Sequence, residues 1–341
     1  MNEKNISDTN LINEIKRIVS ESRKKAIRKI NTESLLMYWN IGKVIVEFEQ
    51  QGNIRAEYGK SLLITISRKL SKDLGKGFSR SNLQNMRLLY LNYPKCQTLS
   101  GKLSWSHYCE LISISEFEKR SFYEIESQNA NWSVRELKRQ IESSLFERLL
   151  LSKGKTNKEE LLKLAHKGNE IQVPADILKD PYVFEFLGIP ERKPLLEKEL
   201  ERKLIRHIEN FLLELGKGFM FVGSQQRITL NNTHYFVDMV FYNKILKSYV
   251  LIDLKKGKLK PEHIGQINAY LNYYKTEIND IDDNPPIGII LCTSKDEIVA
   301  EYALGGINTQ IFTSKYVLYI PKKEELIKEV KLVLDNDIGR C

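Results

Sequence analysis

The amino-acid sequence predicts two folded parts: a helical N-terminal domain, then an α/β domain whose mixed sheet is flanked by helices. Residues 8–147 carry apolar side chains at helical spacing almost throughout. From about residue 176, short apolar runs alternate with amphipathic helical segments, a pattern typical of a sheet covered by helices. The chain has 341 residues, 42% of them hydrophobic, which is enough for two such cores.

These patterns place a helical domain at 1–150, a linker at 151–175 and the α/β domain at 176–341. In the first domain we expect Leu36, Trp39, Val44 and Phe48 to form part of a helical core. Ser79 is the expected N-cap of a later helix, and Pro94 ends that helix. The linker is polar and leads to Pro174, with one short helical pattern inside it.

The α/β domain is predicted to begin with one long amphipathic helix that ends at Gly216. Four strand-like runs follow it: FMFVG, QRITL, HYFVDMVFY and SYVLIDLK. A helix is expected from Pro261 to about Lys275 because proline suits the first helical turn. The remaining predicted elements are strand IGIILCT, helix EIVAEYAL, strands TQIFT and YVLYI, and a closing helix KKEELIKEVKLVL.

The net charge of +9 comes from one part of the chain. Residues 1–100 contain 18 Lys and Arg against 9 Asp and Glu, whereas the rest is balanced. A basic module on a neutral remainder indicates a polyanionic partner, most simply nucleic acid. Lys76, Arg80 and Arg87 lie around a loop before a helix and are the predicted phosphate contacts there. The alternative is an ordinary solvated helix face.

Several classes of protein are excluded. No run approaches the ~18 apolar residues that a membrane helix requires, and the polar N-terminus carries no secretory signal. The 4 cysteines are scattered, which is typical of a reducing cytoplasm, and the 5 histidines lack zinc-site spacing. The sequence contains no GxSxG motif or Walker A loop.

The chemically informative segment is HYFVDMVFYNKILKSYVLIDLKKGK, which reads as a β-hairpin. With the loop centred between Ile245 and Leu246, Asp238 faces Asp253, and Lys255 lies on the same face as Asp253. A slip of one residue would break this pairing. Two opposed carboxylates repel each other, and a divalent cation such as Mg²⁺ would compensate them.

The alternative for this segment is an exposed face on which Lys255 merely neutralises Asp253. The apolar runs around both aspartates speak against it, since solvated charges are not expected there. The following helix places Gln266 and Tyr270 one turn apart on the same face, where they could approach the strand ends.

An Asp, a short loop, DxK and a helix with QxxxY together resemble the PD-(D/E)XK nuclease superfamily. More narrowly, the chain resembles the YhcG-type nuclease family over roughly residues 30–340. The matching stretches include GKGFSRSNLQNMRLLYLNYP, LSWSHYCELI and WSVRELKRQIESSLFERLL near the N-terminus. Near the C-terminus they include ELGKGFMFVGSQQRI, YFVDMVFYNKILKSYVLIDLKKGKLKPEHIGQINAYLNYY and PPIGIILC.

The resemblance implies a restriction-endonuclease-like core, Mg²⁺ (with Mn²⁺ as an alternative) and phosphodiester hydrolysis. It implies that Asp238 and Asp253 bind the metal together with the Leu254 carbonyl, and that Lys255 is catalytic. Gln266 and Tyr270 match the motif glutamine and its partner, and Tyr270 is expected at the nucleic acid. The acid on the preceding helix best matches Glu214, with Glu209 as the alternative.

The sequence also departs from the family pattern at two places. The second acid is Asp253, where relatives usually have Glu, and Ser224 stands near a common arginine position. Gln225 and Gln226 are the polar residues left there. The resulting expectation is a cytoplasmic, Mg²⁺-dependent nuclease acting on DNA rather than RNA. The alternatives are an inactive nuclease-like scaffold and assembly with itself or another protein.

Overall fold

The computed structural model describes residues 3–51, 56–152, 158–190, 196–294, 310–328 and 330. The chain divides into two compact units. The first contains Met1–Arg120 and Ser127–Leu137, and the second contains Ser121–Glu126 and Lys138–Cys341. The predicted helix EIVAEYAL lies outside the described residues. None of the helices that the structure describes is long and apolar enough to cross a membrane.

The first unit is helical, as the periodicity predicted. Its helices are α1 (Glu3–Gln51), α2 (Ala56–Leu74), α3 (Arg80–Asn92), α4 (Trp105–Leu111), α5 (Phe117–Ala130) and α6 (Val134–Glu142), of which α5 and α6 also contribute residues to the second unit. Ser79 caps α3 as predicted, since its side chain accepts a hydrogen bond from the amide of Asn82.

The core of the first unit lies where α1 meets α3. A Cβ atom at Gly42 would clash with the carbonyl oxygen of Met86, so glycine permits the close approach of these two helices. Ile45 is buried there, whereas Val44 and Phe48 are 66% and 55% exposed. The prediction that Val44 and Phe48 belong to the core was therefore wrong, because the apolar residues of α1 occupy more than one face of the helix.

The second unit contains a six-stranded mixed sheet. Its elements are α7 (Leu145–Ser152), α8 (Lys158–Lys167), β1 (Tyr182–Val183), α9 (Glu197–Arg206), α10 (Ile208–Leu215), β2 (Phe219–Leu230), β3 (Thr233–Asn243), β4 (Ser248–Lys258), α11 (Pro261–Tyr273), β5 (Ile287–Ser294) and β6 (Ile311–Val317). The strand order is β1-β6-β5-β4-β3-β2. Strands β2, β3 and β4 pair antiparallel, and β4, β5, β6 and β1 pair parallel. Helix α8 falls within the segment interpreted as a linker.

Each face of this sheet is covered by helices, which confirms the predicted fold class. Leu204 and Phe211, from α9 and α10, pack with Phe241 and Ile289 on one face. The apolar side of α11 packs with Val240 and Ile290 on the other face. The strands therefore form the middle layer of a three-layer α/β arrangement.

Three predicted elements differ in detail. The long helix before the sheet is broken at His207, whose backbone (φ −111°, ψ 35°) leaves helical geometry, and this gives α9 and α10. FMFVG and QRITL form the single strand β2, and described residues of both TQIFT and YVLYI lie in the single strand β6. Of the closing helix, residues 323–328 are described and are helical.

Candidate active site

The β3–β4 hairpin brings the two predicted acids together at the point where pairing between its two strands ends. Tyr242 pairs with Tyr249 and Val240 with Leu251, which confirms the predicted register. The backbone ladder ends at Met239 and Ile252, one residue before Asp238. Beyond this point the Leu254 amide of β4 bonds to a side chain rather than to the backbone of β3. Its acceptor is Oδ2 of Asp238, at 2.9 Å.

Asp253 and Lys255 lie beside Asp238. The Asp253 residue is 1% exposed, and the Nζ atom of Lys255 lies 2.8 Å from its Oδ2 atom. Apart from this contact with Lys255, Oδ2 accepts no hydrogen bond within the described part of the chain. We call Asp238, Asp253 and Lys255 the trio. The predicted convergence of two carboxylates and one amine is thus present in the structure.

Burial and mutual repulsion shift the charge balance of the trio. Burial first, and then the charge of Asp238, raises the pKa of Asp253 to about 7. Burial also raises the pKa of Asp238. Burial works against the charge of Lys255, but the neighbouring carboxylates outweigh it and raise the pKa of this ammonium. Lys255 is therefore a cation at neutral pH and is suited to stabilising negative charge rather than to accepting a proton.

The residues of the trio fit a bound divalent cation. Two carboxylates that each resist ionisation, one with a buried oxygen that contacts only the Lys255 ammonium among the described residues, would both be stabilised by a hard cation. Mg²⁺ commonly takes only one or two carboxylates and retains water ligands. Among the described residues, no group of three or more His, Cys, Asp and Glu side chains is arranged to hold a metal ion. The Leu254 carbonyl stays a predicted ligand.

Gln225 and Glu201 extend the site beyond the residues that the sequence singled out as ligands. The Nε2 atom of Gln225 donates to Glu201 Oε2 at 2.8 Å and approaches Asp238 Oδ1 at 3.3 Å. Gln225 has a left-handed backbone (φ 49°) inside β2, which is uncommon for a residue other than glycine. Such a conformation within a strand is often found at functional sites.

Glu197 is a second acid that the sequence reasoning missed. Its Oε1 accepts a hydrogen bond from the amide of Lys256 at 2.7 Å, and its charge raises the pKa of both aspartates of the trio. Glu197 and Glu201 are one turn apart on α9. Two like charges at this spacing destabilise a helix. Their presence on α9 was the one sequence signal that could have pointed to these two acids as site residues.

Gln266 and Tyr270 form the predicted pair on α11. The Nε2 atom of Gln266 donates to the Tyr270 hydroxyl at 2.6 Å, and the charges of the trio act on the pKa of that hydroxyl. Tyr270 is only 1% exposed, so its predicted role as a nucleic-acid contact is corrected. It supports Gln266 from beneath the surface instead.

Glu214, the preferred third acid of the prediction, is not brought to the trio. It is completely buried, and its carboxylate accepts hydrogen bonds from the guanidinium groups of Arg148 and Arg139 and from the Val183 amide. The Lys179 ammonium contacts its carbonyl oxygen. Every oxygen of Glu214 thus has a partner, and the assignment of this residue as a metal ligand is corrected to a structural role.

Acidic pH is expected to weaken the fold through Glu214. Burial alone would raise its pKa, but Arg148, Lys179 and Arg139 more than offset this and lower it to about 2. The unfolded value is about 4.3. Because the folded pKa is the lower one, the stabilisation is complete above about pH 4.3 and is lost as the pH falls towards 2. Urea midpoints measured from neutral to acidic pH should fall less steeply for Glu214→Gln than for the wild type; parallel curves would contradict the expectation.

The remaining predicted residues lie outside the trio. Glu209 is exposed on α10 and forms no hydrogen bond or ion pair with the described residues of the site. Lys76 and Arg80 are exposed near the start of α3. The prediction that Arg87 contacts phosphate is corrected, because its guanidinium is already paired: Nε donates to Glu49 Oε2 at 2.7 Å.

The sheet, the hairpin and the trio together define a nuclease domain of the PD-(D/E)XK class. The family model described as the YhcG PDDEXK nuclease domain matches residues 175–331, and the DUF1016 N-terminal domain matches residues 14–148. A relative in Escherichia coli, "Putative nuclease YhcG", is 35% identical over 346 residues, covering 92% of this chain and 91% of the relative. The chain belongs to the YhcG family of nucleases.

Two solved structures also resemble part of the chain. A repair endonuclease from Pyrococcus abyssi is 19% identical with a TM-score of 0.26, and the match covers 39% of this chain. EndoMS in its apo form is 18% identical with a TM-score of 0.26, and the match covers 38% of this chain. The matched region spans about half the length of each of these two structures.

Proposed function

We propose that this protein is a Mg²⁺-dependent endonuclease that hydrolyses phosphodiester bonds in DNA. The observation that carries the proposal is the convergence of Asp238, Asp253 and the Lys255 ammonium where the β3–β4 ladder ends. Two neighbouring acids, Asp253 buried and Asp238 half-buried, disfavour each other's charge and need a cation. A cation beside a fixed ammonium is suited to an anionic phosphate ester. DNA is favoured over RNA on family grounds alone.

The residues of the chain divide the work. Asp238 and Asp253 would hold the metal, which supplies a Lewis acid and a water of lowered pKa when bound. The Leu254 amide and Gln225 fix the two oxygens of Asp238. Lys255 stays protonated beside Asp253 and stabilises the negative charge that develops on the phosphate in the transition state.

The test is cleavage of plasmid DNA and of a matched RNA with Mg²⁺, with Mn²⁺ and with a chelator. We expect cutting of DNA that stops when the metal is removed. The Asp253→Asn variant, purified identically, controls for contaminating nucleases. Cutting that survives the chelator, or that is equal in this variant, would contradict the proposal.

A second candidate function is a nuclease-like scaffold without activity. It is favoured by one observation, namely that three metal-binding side chains do not converge within the described residues. DNA binding without cleavage under every metal would support the scaffold. A cytoplasmic location remains part of the proposal, and the three described cysteines are free thiols in keeping with it.

Replacing Gln225 by Ala is expected to lower the cleavage rate by about 10–100-fold. Residues that orient a metal ligand typically contribute this much, and Gln225 links Asp238 to Glu201. Gln226→Ala is the matched control, since that neighbouring amide only approaches the Ser224 carbonyl at 3.5 Å. Equal rates for the two variants in a plasmid assay would show that Gln225 has no such role.

A further inference from the structure

The N-terminal half of α1 is an exposed helix. All 21 residues from 10 to 30 are exposed and helical. At ~1.5 Å per residue they extend for about 30 Å. A helix of this length without tertiary packing is only marginally stable in water. It therefore gains helical order from the packed part of α1 that follows, and a ligand along its surface would stabilise it further.

Five cations are concentrated in seven residues of this exposed stretch, Arg23–Lys29, which we call the basic segment. They are Arg23, Lys24, Lys25, Arg28 and Lys29. None of the five forms an ion pair within the described part of the chain. Arg17, six residues before the basic segment, differs because it pairs with Glu14 and Glu21. The basic segment is thus a patch of uncompensated positive charge about 9 Å long.

The arrangement of these charges disfavours the free helix. Lys24 and Arg28 are four residues apart on one face, as are Lys25 and Lys29. Like charges at this spacing destabilise a helix by about 0.2–0.5 kcal/mol per pair. A ligand with regularly spaced negative charges would remove this repulsion. The phosphate backbone of a nucleic acid has that property, with one charge per ~1.7 Å of duplex.

We propose that the basic segment of α1 binds the phosphate backbone of nucleic acid, independently of base sequence and outside the catalytic unit. The inference rests on the proposed function for its choice of ligand. A helix that lies on an anionic membrane also carries many cations, but it needs an apolar face as well. The large apolar residues of the exposed stretch 10–30 lie mostly before the basic segment, at Leu11, Ile12, Ile15, Ile18 and Val19. Within Arg23–Lys29 only Ala26 and Ile27 are apolar, so the cations themselves have no apolar face beside them and nucleic acid is favoured.

The experiment measures binding rather than cleavage, so its failure is distinguishable from failure of the proposed activity. The full-length protein is titrated against a fluorescent DNA duplex in chelator at several salt concentrations. The variant Lys24→Gln, Lys25→Gln, Arg28→Gln and Lys29→Gln should bind at least roughly tenfold more weakly at low salt. The slope of log affinity against log salt should fall in magnitude by about three to four, close to one per lost contact.

Matched variants separate this site from net charge and from folding. The control replaces Lys43, Lys138, Lys163 and Lys322 by Gln, which lowers the net charge equally at exposed residues that pair with neighbouring glutamates. Replacing Lys24, Lys25 and Lys29 by Arg should preserve binding. The proposal is overturned if the control loses as much affinity, if the first variant keeps the wild-type salt slope, or if phosphatidylserine vesicles displace the DNA.

Discussion

Replacing Lys255 by Ala is expected to reduce DNA cleavage by about 10²–10³-fold, the range lost when one preorganised charge-stabilising group is removed from an active site. The ammonium lies 2.8 Å from Asp253 and is held positive by the two carboxylates beside it. Without it, negative charge that develops on the phosphate would face two acids and no fixed cation. The measurement is a single-turnover rate with saturating protein and metal.

Lys258→Ala is the matched control, because Lys258 is exposed at the end of the same strand. Both variants should bind DNA in chelator about as well as the wild type, since the lost interaction is made with the reacting phosphate. A Lys255 variant that cuts at the rate of the Lys258 variant would remove Lys255 from the mechanism. Weaker binding with an unchanged single-turnover rate would reassign it to substrate affinity.

Replacing Arg148 by Met is expected to lower the free energy of unfolding by about 3–5 kcal/mol, the usual cost of removing one partner from a buried ion pair. Arg148 is completely buried. Its guanidinium donates to Glu214, to the Ser143 carbonyl at 2.8 Å and to the Pro181 carbonyl at 3.0 Å. The methionine would fill similar space but leave these acceptors without that donor. Urea unfolding followed by circular dichroism gives the change.

The same measurement on two glutamates of α10 tests the structural role of Glu214. Glu214→Gln should destabilise the fold strongly, whereas Glu209→Gln should change it by less than about 0.5 kcal/mol, as is usual for surface substitutions. At urea concentrations too low to unfold either variant, both should cleave DNA at the wild-type rate. A Glu214 variant that is stable but inactive would return this residue to the catalytic site.

The sequence was most informative where local pattern and chemistry agree. The alternation of the β3–β4 hairpin was enough to fix its register and hence the positions of Asp238, Asp253 and Lys255. It was misleading where one helical pattern is compatible with either one long helix or two shorter ones. The segment before the sheet was predicted as one helix, but a break at His207 divides it into α9 and α10. The prediction chose an acid from the second of these helices, while the acids nearest the trio are on the first.

The partners of buried charges were beyond sequence reasoning for a different reason. Glu214 is 66 residues from Arg148 and 75 from Arg139 in the chain, and no local pattern connects them. Exposure on α1 was equally hidden, because apolar residues at helical spacing do not show which side will find a partner. Val44 and Phe48 have the expected period but the wrong phase.

The ion-pair network around Glu214 limits where the chain can be cut to express the nuclease domain alone. A fragment starting at residue 176, near the start of the matched nuclease family model, would lack both Arg139 and Arg148. The Glu214 carboxylate would keep its hydrogen bond from the Val183 amide but lose both guanidinium partners, so we expect such a truncation to be much less stable and to yield insoluble material. An expression clone of this domain should begin upstream of Lys138.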